Sequence, residues 1–473
     1  MKIAIVGAGI IGVTTAYELA HDGHEVTVLE QRSAAAEEAS FANAGLLSPY
    51  LTTPCTIAGK PSPTAQRPWH THTGIRLAQG AGLHELAWLW RWRRSHTPLS
   101  TLESLARYSR ERTQAIAARH ELDFEASTGR LLFFRTAKQR AQYQPLLDWM
   151  REAGTAVQDM DADAARQVEP GLSPEAPLHS AVLLPHAVSG NCRLFAQILR
   201  QGMQGAGVQF VFNARVTRLS SQPTGIWVDG EPDMRRFDAV VVCAGAASHT
   251  LLRPRGIRLP MAPVFGYSVS APLREATHAP LTSALDVQEQ ITITRQGQRV
   301  RITGGAELGS PQAAHHHATL QKLYRAVNDW FPGGAQLSGP LQIWRGARPT
   351  LTDGAPSPGQ HRPARHLAEH RSWCRWLGTG LWLRSCFGRH AEPTRTRDQR
   401  AGAGSAALLN PRCAHPMGAA STHNVGYGSS RELRDCKTLP CNASRPTKPT
   451  PCSTPKPPAA WSKLWRPSWR LTP

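Results

Sequence analysis

Hydrophobic and polar positions in the first three quarters of the chain follow two periods. Lys2-Ile3-Ala4-Ile5-Val6 is a continuous apolar run rich in β-branched residues, the pattern of a parallel strand buried on both faces. An apolar stripe of helical period then runs from Val13 to about His21, carrying Tyr17, Leu19 and Ala20, and Asp22-Gly23 stops it. His24 to Leu29 returns to a strand pattern that Glu30 closes. Two later runs, at residues 208–216 and 237–245, predict further strands, the second ending in the small residues Ala244 and Gly245. From Ala355 to Pro473 neither period is sustained.

Composition sharpens that break. The chain has 473 residues, a formal charge of +20 and 41% apolar residues, enough for two or three domains with a sizeable core. No run of 18 apolar residues occurs, so no membrane-spanning helix is expected, and glycines interrupt the N-terminal run, which reads as strand and turn rather than a signal peptide. Nine cysteines, an odd number in a long chain, argue against a disulfide framework. Residues 355–473 hold 19 Lys and Arg against five acidic residues, a charge of +14, and the preceding 354 residues carry only +6. The same tail holds six of the nine Cys, six of the 14 Trp and 15 of the 37 Pro. Three readings compete for it: a basic arm for nucleic acid or anionic lipid, a Cys/His metal module, or translation out of frame. The metal reading is weak because the six cysteines form no CxxC pair and no His pair follows at finger spacing.

Chemistry concentrates at the N-terminus. Gly7-Ala8-Gly9-Ile10-Ile11-Gly12 follows the first strand at once. Gly7 permits a tight turn, Gly9 lets a pyrophosphate approach the backbone, and Gly12 lets helix and strand pack closely. The helix N-terminus offers partial positive charge to the phosphates, and Glu30 can accept hydrogen bonds from a ribose diol. A lone glycine motif is weak, but strand, helix, second strand and terminal acid all fall in place. The dinucleotide reading therefore outweighs that of a packing turn.

Two segments favour FAD over NAD. The small-residue loop at residues 39–46 offers Ser40 and Asn43 as hydrogen-bonding groups, with Gly45 allowing close approach. The strand at 237–245 suggests that the chain returns to the first sheet after a long excursion, and Val216 would lie beside an adenine. The candidate cofactor contacts are Ile3, Val6, Gly7, Gly9, Ile10, Ile11, Gly12, Glu30 and Gln31 on the first unit. Ser40, Asn43, Ala44, Gly45 and Leu46 follow on the loop, then Val216, Ala244, Gly245 and Gly346 further on.

On these residues the chain resembles the bacterial FAD-dependent D-amino acid dehydrogenases (small subunit), within the D-amino acid oxidase, glycine oxidase and sarcosine oxidase group. The stretches that carry it are residues 3–30, Ser40 to Gly45 with Ser48-Pro49, and Trp88 to Trp92. Tyr108 to Arg110, Thr128 to Arg135, Leu184-Pro185 and Gly190 to Cys192 continue it. Arg258 to Pro260, Gly266 to Ser268, Trp344 to Pro349 and Asp353-Gly354 complete it. The chain departs from the family at residues 185–190 and 51–76. The resemblance implies an α/β fold: a Rossmann-like FAD-binding domain interrupted by a mixed-sheet α+β substrate domain. Residues 1–85, 181–255 and 336–354 would form the first, and 86–180 and 256–335 the second. It also implies oxidative deamination of a D-amino acid to a 2-oxo acid and ammonia, with hydride transfer from Cα to the flavin and electrons passed to a quinone-linked or other acceptor. Arg348 is the candidate fork for the substrate carboxylate. Tyr267 could line the site as a second site residue, but a buried structural tyrosine is the stronger reading. An oxidase acting on glycine, sarcosine or another amine is the close alternative. A dinucleotide-binding module with a nucleic-acid-binding tail is the alternative from another class. No metal is expected, and His315-His316-His317 reads as a solvated loop. The implied location is cytoplasmic, with at most a peripheral membrane contact.

Family members continue past the Asp-Gly segment with a strand and an NTGHGxxGW motif that opens a closing helix. Here residues 366–386 read HLAEHRSWCRWLGTGLWLRSC. Tryptophan has one codon, so reading one base later turns Trp373, Trp376 and Trp382 into glycines. Permitted codons for the rest give IWLNTGHGAAGWAQGCGSGH. The tail is therefore expected to be an off-frame, non-native segment that deprives the domain of its last strand and closing helix. The high charge then speaks of the reading frame, and no nucleic-acid partner is expected.

Overall fold

The computed structural model describes residues 1–47, 75–78, 80–94, 99–352, 359–361 and 366–368. The chain divides into two units, Met1–Ala391 with Pro457–Pro473 and Glu392–Lys456, and every described residue lies in the first. In chain order the elements begin with β1 (Lys2–Val6), α1 (Ile10–His21), β2 (Glu25–Leu29), β3 (Arg76–Leu77), α2 (Leu83–Arg94) and α3 (Leu99–Arg119). Next come β4 (Ser127–Phe134), α4 (Ala137–Glu152), β5 (Gln158–Asp161), α5 (Ala162–Val168), β6 (Ser180–Ser189) and α6 (Cys192–Gly205). Then follow β7 (Gln209–Val211), β8 (Val216–Ser221), β9 (Thr224–Val228), β10 (Arg235–Arg236), β11 (Ala239–Val242) and α7 (Ser248–Leu252). The remainder is β12 (Met261–Pro272), β13 (Ser283–Asp286), β14 (Ile291–Gln296), β15 (Arg299–Leu308), α8 (His317–Trp330), β16 (Gln342–Leu351), β17 (Gly359–His361) and β18 (His366–Ala368).

The first sheet has the order β17-β18-β11-β1-β2-β7, parallel except for the β17 edge. Its central strands β1, β2 and β11 are buried on both faces, as their unbroken apolar runs predict. α1 and α6 cover one side: Ile10, Val13, Tyr17, Phe195, Leu199 and Met203 pack on Ile3, Ile5, Val26 and Val28. Ala214, Val216, Leu219 and Ile226 cover the other side, against Ala4, Val6 and Leu29. A small antiparallel sheet, β10-β9-β8, supplies that cover.

The second sheet runs β16-β12-β15-β14-β13-β4-β6-β5, with β3 added beside β15. It is mixed, with long antiparallel pairings of β12 to β16 and β15 and a parallel pairing of β13 to β4. α8 lies on one face, where Leu323, Val327 and Trp330 meet Tyr267, Val269, Ile293 and Ile302. Trp330 stacks on Phe133 at 4.6 Å, and its indole N–H donates to Asp286, which also binds Arg135. A fully buried aromatic of this kind contributes roughly 2–3 kcal/mol.

The structure refines several sequence expectations. The helix starts at Ile10, three residues before the apolar stripe, because Gly9 already takes the N-cap position. The run at 208–216 is two strands of different sheets, β7 and β8, since the chain leaves the first sheet after Val211. Residues 342–351, expected in the cofactor-binding domain, pair along their whole length with β12 in the second sheet. β6, at the start of an expected cofactor-domain segment, also belongs to that sheet, so the crossing falls near Gly190. α3, expected in the substrate domain, docks on α1 instead: Arg112 forks Glu18 at 2.8 and 3.0 Å, and the Tyr17 hydroxyl meets the His120 ring at 3.0 Å. The His run is not a free loop, because His316 caps α8 and its backbone N–H donates to the Tyr267 hydroxyl. The strand position expected to be lost is taken by β18, which pairs in parallel with β11. Ser48-Pro49, Asp353-Gly354 and the tail from residue 369 lie outside the described residues.

Candidate active site

The cradle forms where β1 turns into α1. Gly7 has φ +104°, and a Cβ there would lie 2.6 Å from the Cys243 carbonyl oxygen at the end of β11. A Cβ on Gly12 would come within 1.8 Å of the Gly7 carbonyl oxygen, so helix and turn pack backbone to backbone. Gly9 differs: a Cβ there would meet only the Ser40 hydroxyl, at 3.4 Å, leaving an open approach to the helix N-terminus. The first turn of α1 contains no acid and its N-cap residue has no side chain, so its positive end is not neutralised from within the helix. Ser40 reaches in from the loop and accepts from the Ile10 N–H at 3.1 Å.

Glu30 lies buried at the end of β2. One carboxylate oxygen accepts from Ala8 N–H at 2.7 Å and the other from Arg32 N–H at 2.9 Å. Burial raises its pKa, and the two backbone donors oppose the rise. Each oxygen keeps lone-pair capacity for a diol. Ile3, Val6, Ile10 and Ile11 are core residues beneath the cradle, Gln31 is exposed beside Glu30, and Ala244 and Gly245 follow β11 beside the Gly7 turn.

Residues 40–47 then cross from this cradle to the second sheet. Asn43 Oδ1 accepts from Gly45 N–H, the Gly45 carbonyl accepts from Gly190 N–H, and Leu47 N–H donates to Val188. Gly45 has φ +65°, and a Cβ there would collide with the Gly190 carbonyl oxygen at 1.8 Å. Ala44 and Leu46 flank this contact, Leu46 through a bridge to Ser189.

The sheet face turned to this loop is polar although buried. Register places Ser268, Thr303 and Thr292 in one row across β12, β15 and β14, and Ser270, Arg301 and Thr294 in the next. All six are buried. The loop touches this face twice: Arg301 Nη1 donates to the Asn43 carbonyl at 3.4 Å, and Phe41 stacks on Trp344 of β16. Arg348 lies on the same face. Its guanidinium lies over Gly266, where a Cβ would fall 1.8 Å from Nη2, and Nη1 donates to the Gly305 carbonyl at 3.0 Å. Gly266 thus makes the room for Arg348, a role the sequence did not reveal.

Three expected residues fall elsewhere. Tyr267 points to the opposite face, packed under α8, with its hydroxyl 3.3 Å from Glu307. It pairs in register with Arg345, which also binds Glu307, whereas Arg348 pairs with Val264 three residues away, so the two side chains are not brought together. The space beside Gly346 belongs to Trp344, whose ring would lie 1.5 Å from an added Cβ. Val216 is a core residue against Val6 and Leu29. Arg301 was not singled out from the sequence, since an Arg in an alternating strand reads as solvent-facing.

Whether FAD fits can be judged from buried polar atoms. Asn43 Nδ2, Ser268 Oγ and Gln296 Oε1 are buried without a hydrogen-bond partner among the described residues. A buried orphan costs about 1–3 kcal/mol, so three around one loop suit a ligand that satisfies them. The open Gly9, the Ile10 helix end and the Glu30 carboxylate match pyrophosphate and ribose.

Comparison with known proteins agrees. A family model described as FAD dependent oxidoreductase matches residues 2–391. A D-amino acid dehydrogenase of Cereibacter sphaeroides is 35% identical over 393 residues, 80% of this chain and 87% of that protein. One of Neisseria gonorrhoeae is 32% identical over 371 residues, 76% of this chain and 88% of that protein. Glycine oxidase from Geobacillus kaustophilus shares the fold with a TM-score of 0.65 at 20% identity, over 83% of this chain and 95% of its own. L-α-glycerophosphate oxidase from Mycoplasma pneumoniae, solved with FAD bound, has a TM-score of 0.60 at 16% identity, over 82% and 94%. The chain belongs to the FAD-dependent oxidoreductases, of the D-amino acid dehydrogenase type.

Proposed function

We propose that this oxidoreductase deaminates D-amino acids to 2-oxo acids and ammonia. The observation that carries the reading is Arg348, a guanidinium held over Gly266 on the polar sheet face that the cradle loop crosses. A planar fork there suits a carboxylate, to which it offers two parallel hydrogen bonds. The hydroxyls of Ser268 and Thr303 on the same face offer polar partners to the rest of the substrate. FAD, when bound, supplies the two-electron acceptor for the Cα–H bond. The test is anaerobic: D-alanine added to the FAD-loaded protein should bleach its yellow absorbance and L-alanine should not. Bleaching by glycine or sarcosine but by no D-amino acid would favour the amine-oxidase reading.

For the acceptor we infer a quinone-linked partner reached at a membrane surface. Support comes from α2, where Leu83, Leu86 and Trp90 are exposed by 85%, 39% and 59%, beside the exposed Arg91 and Arg94. Such a helix suits the headgroup layer. No helix among the described residues is long and apolar enough to cross a membrane. Co-sedimentation with anionic vesicles should be lost when the three apolar residues are changed to serine.

For the tail we propose a frameshift between about Asp353 and His366. The charge break and the forced glycines support it, as does β18, which pairs with β11 of the first sheet where the shifted frame reads Ile-Trp-Leu. Resequencing that window tests it; DNA encoding no NTGHG-like string in the shifted frame sinks it. If the shift is genuine, FAD binding is weak and this copy inactive.

A further inference from the structure

We propose that Arg301 is a charge-tuning residue for the flavin: its cation, set behind the cradle loop, favours the reduced and negatively charged ring. The proposal rests on the FAD-dependent reading. Arg301 is 7% exposed, near the start of β15. Nε donates to Ser270 Oγ at 3.1 Å and Nη1 to the Asn43 carbonyl at 3.4 Å, and both acceptors are neutral. No carboxylate lies within ion-pair distance of it among the described residues. Glu125, an acid close enough to affect it, is engaged by Asn191 Nδ2 at 2.8 Å. Burial pulls its pKa down to about 10, so it remains cationic at neutral pH.

A buried cation without a counter-ion is costly, and the usual remedy is an opposite charge brought by a partner. Several buried arginines of this protein have that partner in the chain: Arg112 has Glu18, Arg135 has Asp286, and Arg345 has Glu307, while Arg130 donates to the Ser283 and Thr292 hydroxyls. Two anions could serve Arg301, the cofactor or the substrate carboxylate. Phosphates suit the other end of the loop, where Ser40 meets the helix N-terminus three residues earlier. The substrate carboxylate already has Arg348, whose guanidinium sits at Gly266, four residues along β12 from the Ser270 that anchors Arg301. What remains for Arg301 is the ring end of the cofactor, on which charge develops as two electrons arrive.

The experiment compares Arg301→Met, Arg301→Gln and Arg301→Lys in the FAD-loaded full chain. It measures the flavin reduction potential and the affinity for sulfite, whose adduct with the ring is also anionic; neither reading needs an amino-acid substrate. The neutral variants should bind sulfite about tenfold more weakly or worse, and their potential should fall by the equivalent of about 30 mV per tenfold for a two-electron couple. Arg301→Lys should keep most of both. Unchanged sulfite affinity and potential overturn the proposal. If KM for D-alanine then rises, the charge serves the substrate carboxylate. Failure of all three variants to bind FAD also overturns it, making Arg301 a structural clamp between loop and sheet.

Discussion

The two faces of the second sheet alternate along the same strands and do opposite things. On one, Tyr267, Val269, Ile293 and Ile302 make an apolar core under α8. On the other, Ser268, Ser270, Thr292, Thr294, Arg301 and Thr303 are just as deeply buried and almost wholly polar. Alternation normally marks the polar face as wet. Here that face is covered by the cradle loop, and orphaned atoms such as Ser268 Oγ remain on it. Polar residues that a sheet buries without pairing are a sign of a ligand site, and the apolar face is the scaffold that holds them in register.

The largest test of this division is Arg348→Met on the loop-facing side. It should lower kcat/KM by about 10²–10³, roughly 3–4 kcal/mol of lost transition-state binding, while FAD affinity and melting temperature hold. Steady-state kinetics beside a FAD titration separates the two; an unchanged kcat/KM removes Arg348 from the site. Next comes a matched pair of stability measurements. Ile293→Thr places a hydroxyl in the α8-side core and should cost about 2–3 kcal/mol in urea unfolding of the apoprotein. Ser268→Ala removes a hydroxyl that has no partner among the described residues, so it should be neutral or stabilising without ligand. Equal costs for the two would erase the distinction between the faces. Tyr267→Phe should cost about 1 kcal/mol through the lost contacts with Glu307 and the His316 N–H, with kcat/KM within about threefold of the parent. A larger loss in turnover would return Tyr267 to the active site.

The smallest effect concerns pH and contrasts the cradle with the sheet. Burial holds the Glu30 pKa above its ordinary 4.5 in the folded state. Its contribution to apoprotein stability is therefore greatest in acid and is lost as pH rises through the raised value. The melting temperature of the parent minus that of Glu30→Gln should fall as pH increases from about 4.5. A flat difference would mean that the two backbone donors fully offset the burial.

Legibility followed locality. The β1-α1-β2 unit could be read because its periods, its glycines and Glu30 lie within 30 consecutive residues, and each glycine's reason recurs in the backbone contacts of Gly7 and Gly12. The loop at residues 40–46 was legible as small and polar, but not its hydrogen bonds to residues 188 and 190. Residues 342–351 were assigned to the wrong sheet because strand pairing is a long-range choice that composition does not encode. Tyr267 is the buried structural tyrosine that was its stronger reading, and the face on which it stands relative to Arg348 follows from the register between β12 and β16.

By itself the sequence determined the glycine-rich β1-α1 turn with Glu30 and the break near Ala355, since each depends on residues close together in the chain. The tertiary structure alone decided that Arg301 meets the loop at residues 40–47 and that the Ser268 row is buried rather than wet. Period-two alternation says which residues share a face, but only the covering element settles what that face meets.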